Sequence, residues 1–463
     1  MASLKAWLLC ALLAAADLAA AEKALAAGKP SEALRLLGAL PEAEDAPVRA
    51  LLLAGRAHLA LDDPSSAVEP LLRAAELQPD DADTARLAAQ ACYRSGLEAQ
   101  RRRAREARLW LHDALRYAER SNDALLLASV QESLGRPEEA LKSYRKAADQ
   151  ERDPLAVWEG QGRCLRMLGR DEYKQAFGKA LDVALQRRDV GAAWRTAFAA
   201  DEAARLLRWL DEEVKKSPDA VWARRWRGFA REKRLLYAGA VEDLRWTVGK
   251  TPHDRPARQA LVGVLLASYR STQQEALLDE AEQHARALLE GDVPDALVIS
   301  RVHWTAWTHL QAGRPARAVA LLRLLHRTAP RNLDVGLSLA AQLRRGGDLD
   351  EAGEVYRVLL DSYPDDPDVL NDLAILEDGR GRRSAARKLW KRALEEDPEH
   401  LSALENLFTD SWERGDSVQA HRWVARGLAA AELQSKSVNR WKWFRDRLLW
   451  APRAFGTEDG SVE

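Results

Sequence analysis

The feature that most constrains this chain is a ruler. Gly313, Gly347, Gly381 and Gly415 stand 34 residues apart, Ala318, Ala352, Ala386 and Ala420 keep the same interval, and so do Pro330, Pro364 and Pro398. Within each period one apolar-periodic segment precedes the Gly, a second carries the Ala, and the Pro closes the unit. The period therefore reads as two helices and two turns. No strand-like alternation with Gly/Asn turn signals competes with it. Ala, Leu, Arg and Glu dominate the composition, which favours helix. A hairpin of this length cannot bury its own apolar face. Stacked in a row, each hairpin covers its neighbour, so a chain of 463 residues can exceed the size of a single core by growing in one direction.

Each marker residue has a mechanical reason for its place. Gly at the end of the first helix supplies the left-handed cap that other residues reach at a steric cost. The small Ala318, Ala352, Ala386 and Ala420 let the two helices of a pair approach closely. One helical turn later, on the same face, Leu322, Tyr356, Trp390 and Val424 fill the adjoining space. Pro364 and Pro398 lie in the acidic turns YPDDPD and EEDPEH, where one helix stops and the next begins. The unit VLNDLAILEDGRGRRSAARKLWKRALEEDPEH resembles the tetratricopeptide repeat (TPR) pattern at Leu373, Ala374, Gly381, Ala386, Trp390, Ala393 and Pro398. The resemblance implies an all-α, TPR-type α-solenoid: a right-handed superhelix of about twelve antiparallel helix pairs. It also implies a concave face that holds peptide segments or other proteins.

Taken in order, residues 17–434 read as a continuous array. Repeat one (17–41) has Gly28 and Ala33, and repeat two (46–79) has Gly55, Ala67, Ala74 and Pro79. Repeat three begins at Ala82 and turns at Gly96, with a long second helix running through RRRAREARLWLHDALRYAER to Arg120. Repeat four (122–152) has Gly135, Ala140, Tyr144 and Ala147, and repeat five begins near Leu155 with Trp158 and Gly162. From about 171 to 294 the markers thin out, leaving divergent repeats at 188–218, 220–252 and 256–294. Four regular repeats follow over 297–434. Residues 436–452 read as a capping helix and 453–463 as a frayed tail.

Residues 1–16 read as a secretory signal. Lys5 precedes an unbroken apolar run from Ala6, and Ala14-Ala15-Ala16 supplies a small-residue cleavage site before Asp17. A second such site ends at Ala21, but a cut there removes half of the first helix. The run is too short to span a bilayer, and Leu9 before Cys10 does not fit a lipoprotein site. The expectation is a periplasmic or secreted protein. A cytoplasmic one follows if the run is instead the first core helix. Cys92 and Cys164 fall on first helices two repeats apart, beyond the roughly 7 Å that a disulfide spans, and read as small buried hydrophobes.

Catalytic motifs are missing: there is no phosphate-binding glycine loop, nucleophile elbow, HExxH or CxxC. No cofactor, metal or small-molecule substrate is called for. His303 and His309 share a helix but diverge in direction. Charge nearly cancels, with 70 Lys and Arg against 71 Asp and Glu, which argues against a dedicated nucleic-acid binder. Trp222, Trp226 and Phe229 share one helical face. A strict family register would expel them and bring Arg224, Arg227 and Arg231 inward. Burying three unpaired guanidinium groups is too costly, so the register is expected to slip and these aromatics to be core, as are Trp158 and Trp390. Trp304 and Trp307 differ, because Ile299, Val302 and Ala306 already form the inward stripe of their helix. The resemblance puts them on the concave surface with His303, Arg344, Asn371, Asn406 and Trp412, a candidate partner-binding set; the alternative is packing against the neighbouring repeat. The family's Lys/Asn/Arg clamp for carboxylates is not reproduced. The Arg101–Arg108 run is a phosphate or lipid contact or, more simply, the solvated face of a long helix. The terminal helix, with Trp441, Trp443, Phe444 and Trp450 among basic residues, is a cap with membrane-surface contact open to it.

These readings converge on a non-enzymatic scaffold or adaptor in bacterial envelope assembly or secretion. The alternatives are an RNA-processing scaffold and an accessory subunit of a polysaccharide or cell-wall enzyme complex.

Overall fold

The computed structural model describes residues 17–43, 46–150, 152–291 and 293–450, with 449 and 450 by backbone alone. The export reading of 1–16 and the tail 453–463 lie outside the described residues. Among the described residues there is helix and turn but no strand. The chain divides into two compact units, one up to Lys216 and one from Ser217.

The first unit pairs α1 (17–26) with α2 (Pro30–Leu37), α3 (Val48–Ala60) with α4 (Pro64–Leu77), and α5 (Ala82–Arg101) with α6 (Ala107–Arg120). It continues with α7 (Ala124–Ser133) and α8 (Pro137–Asp149), α9 (Pro154–Met167) and α10 (Tyr173–Gln186), then α11 (Val190–Ala199) and α12 (Ala203–Lys216). The second unit pairs α13 (Val221–Lys233) with α14 (Tyr237–Lys250), α15 (Arg255–Thr272) with α16 (Glu275–Leu288), and α17 (Ala296–Gln311) with α18 (Pro315–Thr328). Then come α19 (Leu333–Gly346) and α20 (Leu349–Ser362), α21 (Pro367–Gly379) and α22 (Arg383–Glu396), and α23 (Leu401–Glu413) and α24 (Ser417–Leu433). The last helix, α25 (Asn439–Trp450), lies on α24 and buries Trp441, Phe444 and Leu448.

Local chemistry explains the punctuation. Most first helices open on an Asp or Asn whose side chain accepts a backbone N–H of the first turn, as Asp81 does from Thr84, Asp295 from Val298 and Asp366 from Val369. The turn inside each pair contains one residue at positive φ. In the last four pairs it is the ruler's glycine, from Gly313 at 72° to Gly347 at 90°. In five others it is Asp62, Arg103, Asp201, Leu235 or Gln273. The missing markers between 171 and 294 are thus turns of the same geometry without the glycine that announces them. The small alanines Ala318, Ala352, Ala386 and Ala420 and the large residues one turn later are all buried. First helices of successive pairs touch directly (α3 on α5, α5 on α7, α7 on α9, α13 on α15, α15 on α17, α19 on α21), while second helices stand further apart. Within each unit the row therefore bends towards its first helices.

Two expectations are corrected. Gly96 is not a turn: it lies inside α5, where an added Cβ would stand 2.9 Å from Leu111 of α6. The chain instead turns at Arg103, left-handed at φ 55°, so Arg101–Arg108 spans a turn and is not the face of a long helix. The second correction concerns α13, whose register does not slip. Ala223, Gly228 and Ala230 are buried, Trp222 is exposed, and Trp226 and Phe229 are only partly covered. Arg224, Arg227 and Arg231 turn inward and converge on the fully buried Asp243 of α14. Arg227 makes the paired bonds Nε to Oδ2 at 2.8 Å and Nη2 to Oδ1 at 2.7 Å, and Arg231 Nη1 donates to Oδ2 at 2.7 Å. The cost of burying guanidinium is real, but it was charged to unpaired groups. A shared carboxylate on the partner helix removes that premise. Trp390 is buried as expected, whereas Trp158 is only half-buried, beneath the Lys179 ammonium 4.2 Å from its ring centroid.

Candidate binding face

The first-helix face of the second unit is built outward from α17. Val298, Val302, Thr305, Ala306 and His309 take the buried stripe. The 3.6-residue period then leaves Trp304 and Trp307 on the outer side, 50 % and 46 % exposed, with rings edge-to-face at 5.2 Å and 72°. Neither is absorbed by the neighbouring repeat. Two indoles left half in water are a concentrated apolar patch of the kind that marks interaction surfaces.

The pair forms a ridge between two hollows. On one side a hollow of about 380 Å³ opens among α13, α15 and α17, with Trp304 in its wall beside Tyr237, Arg270 and Arg301. On the other side a hollow of about 750 Å³ lies between α17 and α19, bounded by His303, Trp307, Ser338 and Arg345. His303 Nε2 is 2.9 Å from Ser338 Oγ, and burial holds its imidazole below the usual histidine range. Its ring is therefore neutral at physiological pH and serves as a hydrogen-bonding group, not a charge.

The remaining residues of the candidate set are less available. Asn371 on α21 is buried: its Oδ1 accepts from Asn406 Nδ2 of α23 at 2.9 Å, and its Nδ2 donates to Asp372 Oδ1 at 3.2 Å. The two amides are brought together, but they spend part of their capacity on each other. Arg344 is half-buried beside Tyr356 and Asp372. Burial pushes the Asp372 carboxyl up, and the Arg344 charge opposes that shift. Trp412 sits at the far end of the face, tilted against Phe408 at 6.2 Å with the Arg447 guanidinium of α25 at 5.4 Å. Trp304, Trp307 and His303 gather at one place, and Asn371, Asn406 and Arg344 around Asp372 at another. Sequence reasoning missed Arg270, Arg301 and Leu235, which line the first hollow with Trp304. The signal for Leu235 was available: it occupies the turn place that glycine holds elsewhere.

Among the described residues no cluster of His, Cys, Asp and Glu is arranged to hold a metal, and no helix is long and apolar enough to cross a membrane. Cys92 and Cys164 are free and buried, and desolvation pushes both thiols up to about 12, leaving them unreactive.

Tetratricopeptide repeat profiles match residues 18–82, 125–192 and 305–367, and a second profile of the same description matches 343–407. With the pairs, turns and buried alanines described above, the chain belongs to the tetratricopeptide repeat family. Solved structures similar to it include YrrB, described as a TPR protein with an unusual peptide-binding site, at 11% identity over 42% of this chain and 96% of that one, with a TM-score of 0.34. MamA is 16% identical over 37% of this chain and 88% of its own, with a TM-score of 0.29. A monomeric mutant of IFIT1 with Gppp-AAAA is 14% identical over 71% and 80%, with a TM-score of 0.31. At such identities the likeness concerns the fold alone. A search of curated proteins gives no match.

Proposed function

We propose that the protein is a non-catalytic scaffold that holds a peptide segment or partner protein along the first-helix face of its second unit. The observation that carries this reading is the Trp304–Trp307 pair, half-exposed and in mutual contact on a ridge between two hollows. Trp is over-represented among residues that dominate interface energetics. A buried aliphatic stripe already stabilises α17 without these two rings. The test is recovery of partners from the native source with the Trp304→Ala/Trp307→Ala protein. Loss of recovery with an unchanged circular dichroism spectrum is expected; unchanged recovery would remove the proposal. The same reading extends to an exported protein serving envelope assembly or secretion, supported by the composition of residues 1–16. N-terminal sequencing of the fractionated native protein tests it, with a start at Asp17 in the periplasm as the expected result and an intact Met1 start in the cytoplasm as the refuting one.

A further inference from the structure

The hollow among α13, α15 and α17 has a chemistry narrower than a general rest for a partner. Three cations line it, Lys233, Arg270 and Arg301, against the single carboxylate of Glu232. Arg270 is exposed and has no carboxylate within ion-pair distance among the described residues. Arg301 reaches across from α17, its Nη2 donating to Glu232 Oε1 of α13 at 3.3 Å. Its guanidinium lies over Gly263 of α15, where an added Cβ would stand 2.4 Å from Nη1. Any side chain at 263 would lift Arg301 off the floor of the hollow. The Arg301 Nε is buried with no hydrogen-bond partner, a donor left without an acceptor in a place where that is costly.

The apolar side of the same hollow is held at a cost to the fold. Leu235 occupies the left-handed turn position at φ 59°, where most of the other pairs of the second unit have glycine, and its side chain is 67 % exposed. A residue with a Cβ is strained there, and burial returns little of that strain. Other pairs give the same strained place to Asp62, Arg103, Asp201 or Gln273, so what sets Leu235 apart is an apolar side chain left in water. Leu235 lines the hollow with Tyr237 and Trp304. A strained, exposed leucine therefore faces the same space as the surplus positive charge.

We infer that this hollow recognises an acidic segment of a partner in which an Asp or Glu lies next to a branched aliphatic or aromatic side chain. The carboxylate meets Arg270 and Arg301, and the apolar side chain enters between Leu235, Tyr237 and Trp304. The segment is internal to the partner and not its C-terminus, because the surface continues over the Trp304–Trp307 ridge into the second hollow, with Arg345 on its rim. This inference rests on the proposed function and specifies the partner's chemistry at that site.

The experiment uses the full chain and short dye-labelled peptides read by fluorescence polarisation. One peptide alternates Asp and Leu with both ends blocked, a second has Lys for Asp, a third has Ala for Leu, and a fourth carries its only carboxylate at a free C-terminus. The blocked acidic–aliphatic peptide is expected to bind at least about tenfold tighter than the other three. Arg270→Glu should weaken it by roughly tenfold and strengthen the Lys peptide, a reversal that misfolding would not produce. Leu235→Gly should weaken it while raising the thermal midpoint, because the same change relieves strain. Equal binding of the acidic and basic peptides, or failure of all four to bind, would overturn the inference. So would preference for the free C-terminus, or indifference to Arg270→Glu. If the tryptophan double variant still loses its partner in those cases, the functional proposal stands and only this refinement falls.

Discussion

Asp243 decides whether three arginines are a liability or a structural device. Replacing it with Asn keeps the shape but leaves Arg224, Arg227 and Arg231 half-buried without their shared counter-charge. We expect a loss of about 3–5 kcal/mol, measured by urea denaturation. Replacing Arg227 alone by Leu should cost clearly less than Asp243→Asn, since Asp243 keeps Arg231 and Arg224 as partners and no guanidinium is stranded. Trp390 makes the contrasting case. It fills the space beside Ala386, and its Nε1 is buried without a partner. Trp390→Ala should cost about 3–5 kcal/mol, whereas Trp390→Phe should cost clearly less, because it also removes the orphan donor. Trp390 was legible in the sequence because one helix's own periodicity decides its burial. The fate of Trp222, Trp226 and Phe229 was not, since it depends on a carboxylate carried by the opposite helix. Periodicity says which residues share a face. It does not say what waits across from that face.

At the scale of the helix and its turn, the same division holds. Pro364 and Pro398 lie in turns, as their φ restriction requires, and Ala318 to Ala420 are buried where two helices cross. Glycine was the ambiguous letter. It serves the turn at Gly381, with φ 79°, and close helix approach at Gly96, and one sequence does not separate the two uses. Leu235→Gly should therefore raise stability by about 1 kcal/mol, read as a shift in thermal midpoint. The histidines His284 of α16 and His309 of α17 carry a pH dependence of predictable sign. Burial holds His284 and His309 below the ordinary value of 6.5, and His309 lies 3.1 Å from Glu282 with Arg314, Arg317 and Asp279 around it. As pH falls through 6.5, the unfolded chain binds these protons before the folded one does, so stability is full above that value and declines below it. Thermal midpoints should drop between about pH 7.5 and about pH 5.5, and His309→Gln should flatten the slope. The candidate site was half legible: helical spacing exposed Trp304 and Trp307. It could not foretell that Asn371 would engage Asn406, or that α25 would bring Arg447 over Trp412.

For the molecule as a whole, each unit carries cores lined by its own residues, those of the second running from Ala240 to Leu448. A fragment from Ser217 onward is expected to fold alone, with a helical spectrum and a single cooperative melt; a featureless, gradual loss of signal would show otherwise. Beneath this, a set of bonds recurs at the spacing of the ruler. Arg392 Nη2 donates to the Pro364 carbonyl and Arg426 Nη2 to that of Pro398, each at 3.0 Å. Arg224 and Arg258 likewise donate to Pro218 and Pro252, inside the stretch where the sequence markers fade. Each such bond stays within its own pair or reaches one pair back, so what a helix pair recognises is a neighbour of the right type and not a particular address along the chain. Excising residues 365–398 would hand Arg426 the Pro364 carbonyl at the same spacing along the chain, at the loss of the Arg387–Asp410 and Asn371–Asn406 bonds, whereas excising only α22 would leave α21 facing a stranger. Whole steps of the row are therefore the unit in which a chain like this can be lengthened or shortened, because each new neighbour presents the same type of turn.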